Sequence, residues 1–208
     1  MTLVKMCGIT READVKVLNT LCPDFTGFVF WEKSKRLISK ENALRLSEML
    51  NPDIKPVGVF LNPTMEEVMD IAGSSCIKMI QLHGDESESF VREVQDRSGL
   101  PVIRAFKIST KDDLDTAIST DADLLMLDGG AGEGRPFDWS ILDDVNRPYL
   151  LAGGLTPENV GQAISKAHPY GVDVSTGIET DGLKDPAKMK RFMTAVNTTD
   201  DQLGAMRP

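Results

Sequence analysis

Cysteine is scarce in this chain. Its three thiols, Cys7, Cys22 and Cys76, are an odd number with no CxxC spacing. That excludes a disulfide framework and offers no zinc-ligand pattern, and it fits a reducing cytoplasm in which a thiol stays free for chemistry. Positive charge is also in deficit. There are 23 Lys and Arg against 32 Asp and Glu, a formal net charge of -9, which argues against a nucleic acid or an anionic membrane as partner. No apolar run approaches the roughly 18 residues that a membrane span needs. The opening Met1-Thr2-Leu3-Val4-Lys5-Met6 lacks the basic n-region and apolar core of a secretory signal. Nothing resembling a linker, a low-complexity tract or an internal repeat divides the chain, so residues 1–208 read as a single domain. A monomer is the expectation and a homodimer the alternative, with the tail beyond about Asn197 expected to fray.

What is present is a regular alternation. Short β-rich apolar runs recur at Leu3–Cys7, Phe25–Phe30, Pro56–Leu61, Ile77–Leu82, Pro101–Phe106, Asp123–Leu127, Tyr149–Ala152 and Gly171–Val174. Several are almost continuously apolar, as strands covered on both faces are. Helix-patterned segments follow most of them, and their starts are marked. Thr64 and Glu67 have capping-box spacing, Ser39 stands ahead of the segment Glu41–Leu50, and Thr156-Pro157 and Asp185-Pro186 each put a capping residue before a first-turn proline. Eight such alternations in about 200 residues point to an α/β fold, a single (β/α)8 TIM barrel. An open doubly wound sheet is the competing architecture. It would show GxGxxG after the first strand, where this chain has Cys7-Gly8-Ile9-Thr10.

A parallel barrel gathers its active site at the C-terminal ends of its strands. Cys7 closes the first strand, Arg36 follows the second, Gln81 and His83 sit at the fourth, and Asp128 closes the sixth. The seventh and eighth end in Gly153-Gly154 and Ser175-Thr176-Gly177, where small residues let backbone N–H groups approach an anion. Taken singly these residues have bland readings: a buried thiol is usually inert filler, an Asp before two glycines a turn, and Arg36 part of a solvated charge run. Cys22 and Cys76 keep the inert reading. It is the joint placement at strand ends that speaks for a site.

The motifs also resemble those of the phosphoribosylanthranilate isomerase family. The resemblance is carried by Lys5-Met6-Cys7-Gly8-Ile9-Thr10, Gly27-Phe28-Val29-Phe30 with Ser34 and Arg36, Val57-Gly58-Val59-Phe60, Gln81-Leu82-His83-Gly84, Phe137-Asp138-Trp139, Gly153-Gly154-Leu155 with Pro157-Glu158-Asn159-Val160, and Asp173-Val174-Ser175 with Gly177 and Glu179. It runs in the family's order from Lys5 to about Phe192. It implies an Amadori rearrangement in tryptophan biosynthesis, converting N-(5′-phosphoribosyl)anthranilate into 1-(2-carboxyphenylamino)-1-deoxyribulose 5-phosphate. Cys7 is implied as general base, Asp128 as general acid and Arg36 as the holder of the anthranilate carboxylate. The phosphate is implied at the loops after strands 7 and 8, on Gly153, Gly154, Ser175, Thr176 and Gly177, with Gly132 nearby; Gln81 and His83 are expected to face the substrate. No metal or cofactor is implied, since the Schiff base formed in the reaction is its own electron sink. Asp128 is expected to have a raised pKa so that it can carry a proton, and the Cys7 thiolate to be favoured by nearby positive groups. Ala152 and Glu133 depart from the family pattern, and Glu133 is expected to turn away from the phosphate. The histidine-pathway isomerase, which has Asp at the end of its first strand and a half-barrel repeat, fits less well, and a non-catalytic scaffold would need none of Cys7, Asp128 and Arg36.

Overall fold

The computed structural model describes residues 1–130, 139–143 and 145–205. Eight parallel strands close on themselves: β1 (Leu3–Cys7), β2 (Phe25–Val29), β3 (Lys55–Phe60), β4 (Met79–Leu82), β5 (Val102–Lys107), β6 (Leu124–Asp128), β7 (Tyr149–Ala152) and β8 (Gly171–Val174). The closing seam is β1 against β8, with Lys5 opposite Asp173.

Side chains alternate along each strand, and here the alternation sorts two cores. Outward-facing residues such as Met6, Phe28, Ile80, Leu82, Leu125, Leu151 and Val172 meet the surrounding helices. Inward-facing Phe25, Val57, Met79, Ile103, Met126 and Leu150 fill the barrel. The same parity turns Cys7, Gln81, Asp128 and Asp173 inward, so the site follows from strand register.

The helices are α1 (Glu12–Leu21), α2 (Lys40–Glu48), α3 (Met65–Ala72), α4 (Glu88–Ser98), α5 (Lys111–Ile118), α6 (Val160–Ala167) and α7 (Pro186–Ala205). The expected caps form at α2, where Ser39 accepts from the Asn42 amide, and at α3, where Thr64 and Glu67 make a capping box. At α7, Asp185 Oδ1 accepts from the Ala187 and Lys188 amides.

Four expectations need correction. Thr156-Pro157 does not open α6. Asn159 Oδ1 accepts from the Thr156 amide at 2.7 Å and its Nδ2 donates to Gly154 O at 3.0 Å, which spends those residues on a turn and delays the helix to Val160. The tail does not fray at Asn197, because α7 runs on to Ala205 with Met189, Phe192, Val196 and Thr199 buried at helical spacing. Asp200 then ties the chain start, accepting from Thr2 N at 2.6 Å and Thr2 Oγ1 at 2.7 Å. Between β6 and β7 the described residues contain only one 3-10 turn, Trp139–Leu142. Finally, Cys22 is no core filler: it is the exposed left-handed cap of α1, at φ 47°, whereas Cys76 is buried as expected. After β8 come a 3-10 turn, Thr176–Ile178, and a hairpin of β9 (Glu179–Thr180) with β10 (Leu183–Lys184).

Candidate active site

A cavity of about 420 Å³ opens at the C-terminal mouth of the barrel. Cys7, Arg36, Gln81, His83, Asp128, Gly153, Gly154, Ser175 and Thr176 all line it. Gly177 does not. A Cβ there would stand 1.9 Å from Leu155 O, so its glycine serves close packing of the loops after β7 and β8. Gly132 and Glu133 lie outside the described residues.

Glycine makes room for the reacting groups at two places. A Cβ on Gly27 would lie 2.6 Å from Cys7 Sγ, and one on Gly153 would lie 2.6 Å from Asp128 Oδ1. Gly153 also needs its φ of +96°, which a side chain disfavours.

Cys7 is 8% exposed. Burial pushes its thiol up; Lys5 and Lys184 pull it down and Asp173 pushes it up again, leaving the net shift upward. Lys5, fully buried two residues earlier on the same face, donates to Asp173 Oδ1 at 2.7 Å. Desolvation pulls Lys5 down, but Asp173 and Cys7 outweigh it and hold its pKa above the ordinary lysine value. The expected positive neighbours of Cys7 are present, yet burial prevails and favours the thiol over the thiolate.

Asp128 differs from expectation in the opposite sense. Burial raises its pKa, but His83 as hydrogen-bond partner, the Gly130 amide donating to Oδ1 at 2.8 Å, and the electrostatic attraction of His83 and Lys107 together bring it below the ordinary carboxylate value. The expected rise therefore does not occur. His83 Nε2 stands 3.4 Å from Asp128 Oδ2, and Gln81 Nε2 lies 3.2 Å from His83 Nδ1. With Gln81 donating, His83 Nδ1 accepts and its Nε2–H faces the carboxylate. Gln81 Oε1 is buried without a hydrogen-bond partner among the described residues.

Arg36 enters from the far side. Its amide donates to Ser34 Oγ at 3.0 Å, and its stem crosses Gly8, where a Cβ would lie 2.3 Å from Arg36 Cδ. Nε and Nη2 donate to the two oxygens of Glu179 at 2.6 and 2.7 Å. Lys184 Nζ donates to the same Glu179 Oε1 at 2.7 Å and to Ser175 O at 2.9 Å. Lys5, Asp173, Glu179 and Lys184 were given no role by sequence reading. Two signals pointed to them: charged residues inside the buried strands β1 and β8, and the hairpin dipeptide Asp181-Gly182 between Glu179 and Lys184.

A family model described as N-(5′-phosphoribosyl)anthranilate (PRA) isomerase matches residues 4–195 of this chain. The chain belongs to that family. The N-(5′-phosphoribosyl)anthranilate isomerase of Acetivibrio thermocellus is 40% identical over 216 residues, covering 96% of this chain and 98% of its own length. Among solved structures, a phosphoribosyl anthranilate isomerase in complex with reduced 1-(o-carboxyphenylamino)-1-deoxyribulose 5-phosphate superposes with a TM-score of 0.86 at 38% identity, covering 95% of this chain and 100% of that one. Monomers generated from the dimeric isomerase of Thermotoga maritima give 0.86 at 37%, with coverage of 95% and 100%. No helix among the described residues is long and apolar enough to cross a membrane.

Proposed function

We infer that this chain catalyses the family's Amadori rearrangement, turning N-(5′-phosphoribosyl)anthranilate into 1-(2-carboxyphenylamino)-1-deoxyribulose 5-phosphate for tryptophan biosynthesis. The observation that carries the reading is a single cavity lined by Cys7 from β1 and Asp128 from β6, with Arg36 and the loops after β7 and β8 also on its wall.

Asp128 donates a proton to the ribose ring oxygen as the nitrogen lone pair opens the ring to a Schiff base. The Cys7 thiolate then removes the C2′ proton, the electrons move into the iminium to give an enolamine, and tautomerisation yields the ketone. The chemistry starts from a thiol and a carboxylate, so one proton must pass from Cys7 to Asp128 before or during substrate binding. The total proton count of the pair does not change, and the two titrate as one unit.

Arg36 binds the anthranilate carboxylate, and Gly153, Gly154, Ser175 and Thr176 take the phosphate. Gln81 Oε1, a buried acceptor in the cavity wall, receives a substrate hydroxyl or N–H. Gly177 supports the phosphate loop from behind. Each of these groups comes from one chain, so a single-domain monomer in the cytoplasm suffices for the reaction.

The test follows the loss of substrate fluorescence as freshly formed phosphoribosylanthranilate is consumed, with the parent beside Cys7→Ser and Asp128→Asn. Loss of general acid or base catalysis costs about 10²- to 10⁴-fold, so both folded variants should fall by at least about 100-fold. An inert parent refutes the activity; loss in only one variant refutes the division of labour.

A further inference from the structure

Glu179 and Lys184 lie outside the acid–base pair, yet both are nearly buried, with side chains 8% and 2% exposed. They face each other across the β9–β10 hairpin, where Lys184 is the register partner of Glu179. Such an ion pair could do no more than staple the hairpin. The third member argues otherwise. Glu179 grips Arg36 with both oxygens, on the Nε–Nη2 edge of the guanidinium, and Arg36 is part of the cavity wall. Nη1 makes no hydrogen bond to any described residue.

We propose that Glu179 and Lys184 are positioning residues that aim the open edge of Arg36 at the substrate carboxylate and leave it a surplus of positive charge. This rests on the reading of Arg36 as the carboxylate's holder. A free arginine carries large rotamer freedom, which a planar bidentate partner removes before substrate arrives. A lone Glu179 would do this at a cost: its charge would cancel that of Arg36 and repel the incoming carboxylate. Lys184 answers that. Two cations around one anion leave one net positive charge, and Lys184 in turn is anchored by the Ser175 carbonyl at the end of β8. Burial would raise the Glu179 pKa, but its bonds to Arg36 and Lys184 prevail and hold it low, keeping it ionised. The hairpin thereby links the carboxylate end of the cavity to the Ser175 loop.

The proposal makes Glu179 a determinant of carboxylate recognition that does not itself touch substrate. The experiment compares phosphoribosylanthranilate with phosphoribosylaniline, which lacks the carboxylate, in the parent, Glu179→Gln, Lys184→Gln and Arg36→Ala. One charge-assisted interaction is worth about ten-fold or more in affinity. Glu179→Gln is therefore expected to raise KM for the anthranilate substrate about ten-fold with kcat within about three-fold, while kcat/KM for the aniline substrate stays within about two-fold. Lys184→Gln should raise KM for the anthranilate substrate in the same direction. Because Lys184 also pulls the Cys7 thiol down, any change through Cys7 reaches both substrates alike, so the ratio of their kcat/KM values decides the matter if Glu179→Gln does not fold. In the Arg36→Ala background, Glu179→Gln should add no further loss.

Equal losses on both substrates, or an unchanged KM, would show a structural staple and overturn the proposal. A fall in KM would also overturn it, by showing that Glu179 competes with the substrate. If Arg36→Ala itself fails to distinguish the two substrates, the carboxylate reading of Arg36 falls, and the proposal falls with it. If Arg36→Ala distinguishes them and Glu179→Gln does not, only the positioning role is lost.

Discussion

Replacing Glu86 by Ala should destabilise the fold by about 4 kcal/mol, because it strands a buried cation. Arg104 on β5 and Glu86, just before α4, are 5% and 3% exposed and meet at 2.5 Å. Arg104 Nη1 also donates to Gly84 O at 3.0 Å and Leu82 O at 3.3 Å, and Nη2 to Glu86 O at 2.8 Å. Its Nε already lacks a hydrogen-bond partner among the described residues. Glu86 meanwhile accepts from the amides of Asn62 at 2.8 Å and Gly84 at 2.9 Å. Removing one partner of a buried pair costs about 3–5 kcal/mol, and the two amides add little where water can reach them. For a chain of this size each kcal/mol moves Tm by about 2–4 °C, so the expected fall is roughly 8–16 °C. Thermal and urea unfolding followed by circular dichroism measure it. Glu86→Gln, which keeps an acceptor but not the charge, should lose about half as much. A loss below about 1 kcal/mol for Glu86→Ala would refute the reasoning, since it would mean that Arg104 is served by solvent like a surface ion. Because the pair pins the segment from Leu82 to Glu86, activity should fall with stability as His83 loses its support.

Other outcomes follow from the site. Burial raises Cys7 and its partners lower Asp128, so kcat/KM should plateau between the two titrations, where the pair holds one proton. It should fall on the acid side as Asp128 takes up a proton and on the basic side as Cys7 loses its own. Alkylation of Cys7, in a Cys22→Ser background because Cys22 is exposed, should rise only along the basic limb; a rise along the acid limb would show a resting thiolate. Asp128 also links stability to pH: a depressed carboxylate stabilises the fold above its unfolded value, and that contribution disappears as pH falls through the folded one. Gly153→Ala should cost about 1–3 kcal/mol through its positive φ and lower kcat by displacing Asp128, which a turnover assay of the folded variant checks. Normal kcat with unchanged stability would mean that the loop after β7 simply shifts to make room.

Much of the barrel was legible because its strands obey local rules. β1, β7 and β8 have the boundaries that their apolar runs suggest, and the strand ends then placed Cys7, Gln81 and Asp128 at the mouth of the barrel. What escaped depended on side chains meeting across long separations. Thr156-Pro157 has the form of a helix start, but the amide side chain of Asn159 stabilises a competing turn. The ionisation of Asp128 turned on His83, whose partner could not be read from Gln81-Leu82-His83-Gly84. Glu179 and Lys184 sit in strands of two residues each, too short for a periodic signal, and Arg36 lies 143 positions from its carboxylate partner.

The pairing of Lys5 with Asp173 has a meaning for folding as well as for the thiol above it. The two lie 168 positions apart, on the strands whose meeting closes the ring. Until that meeting, β1 and β8 are the open edges of a curled sheet, the places where stray strands add and aggregation begins. An inward-pointing charge on each edge discourages such additions, since a foreign strand would have to bury a lone lysine or a lone aspartate at a cost of several kcal/mol. The chain's own opposite edge removes that penalty, because it brings the matching ion in register.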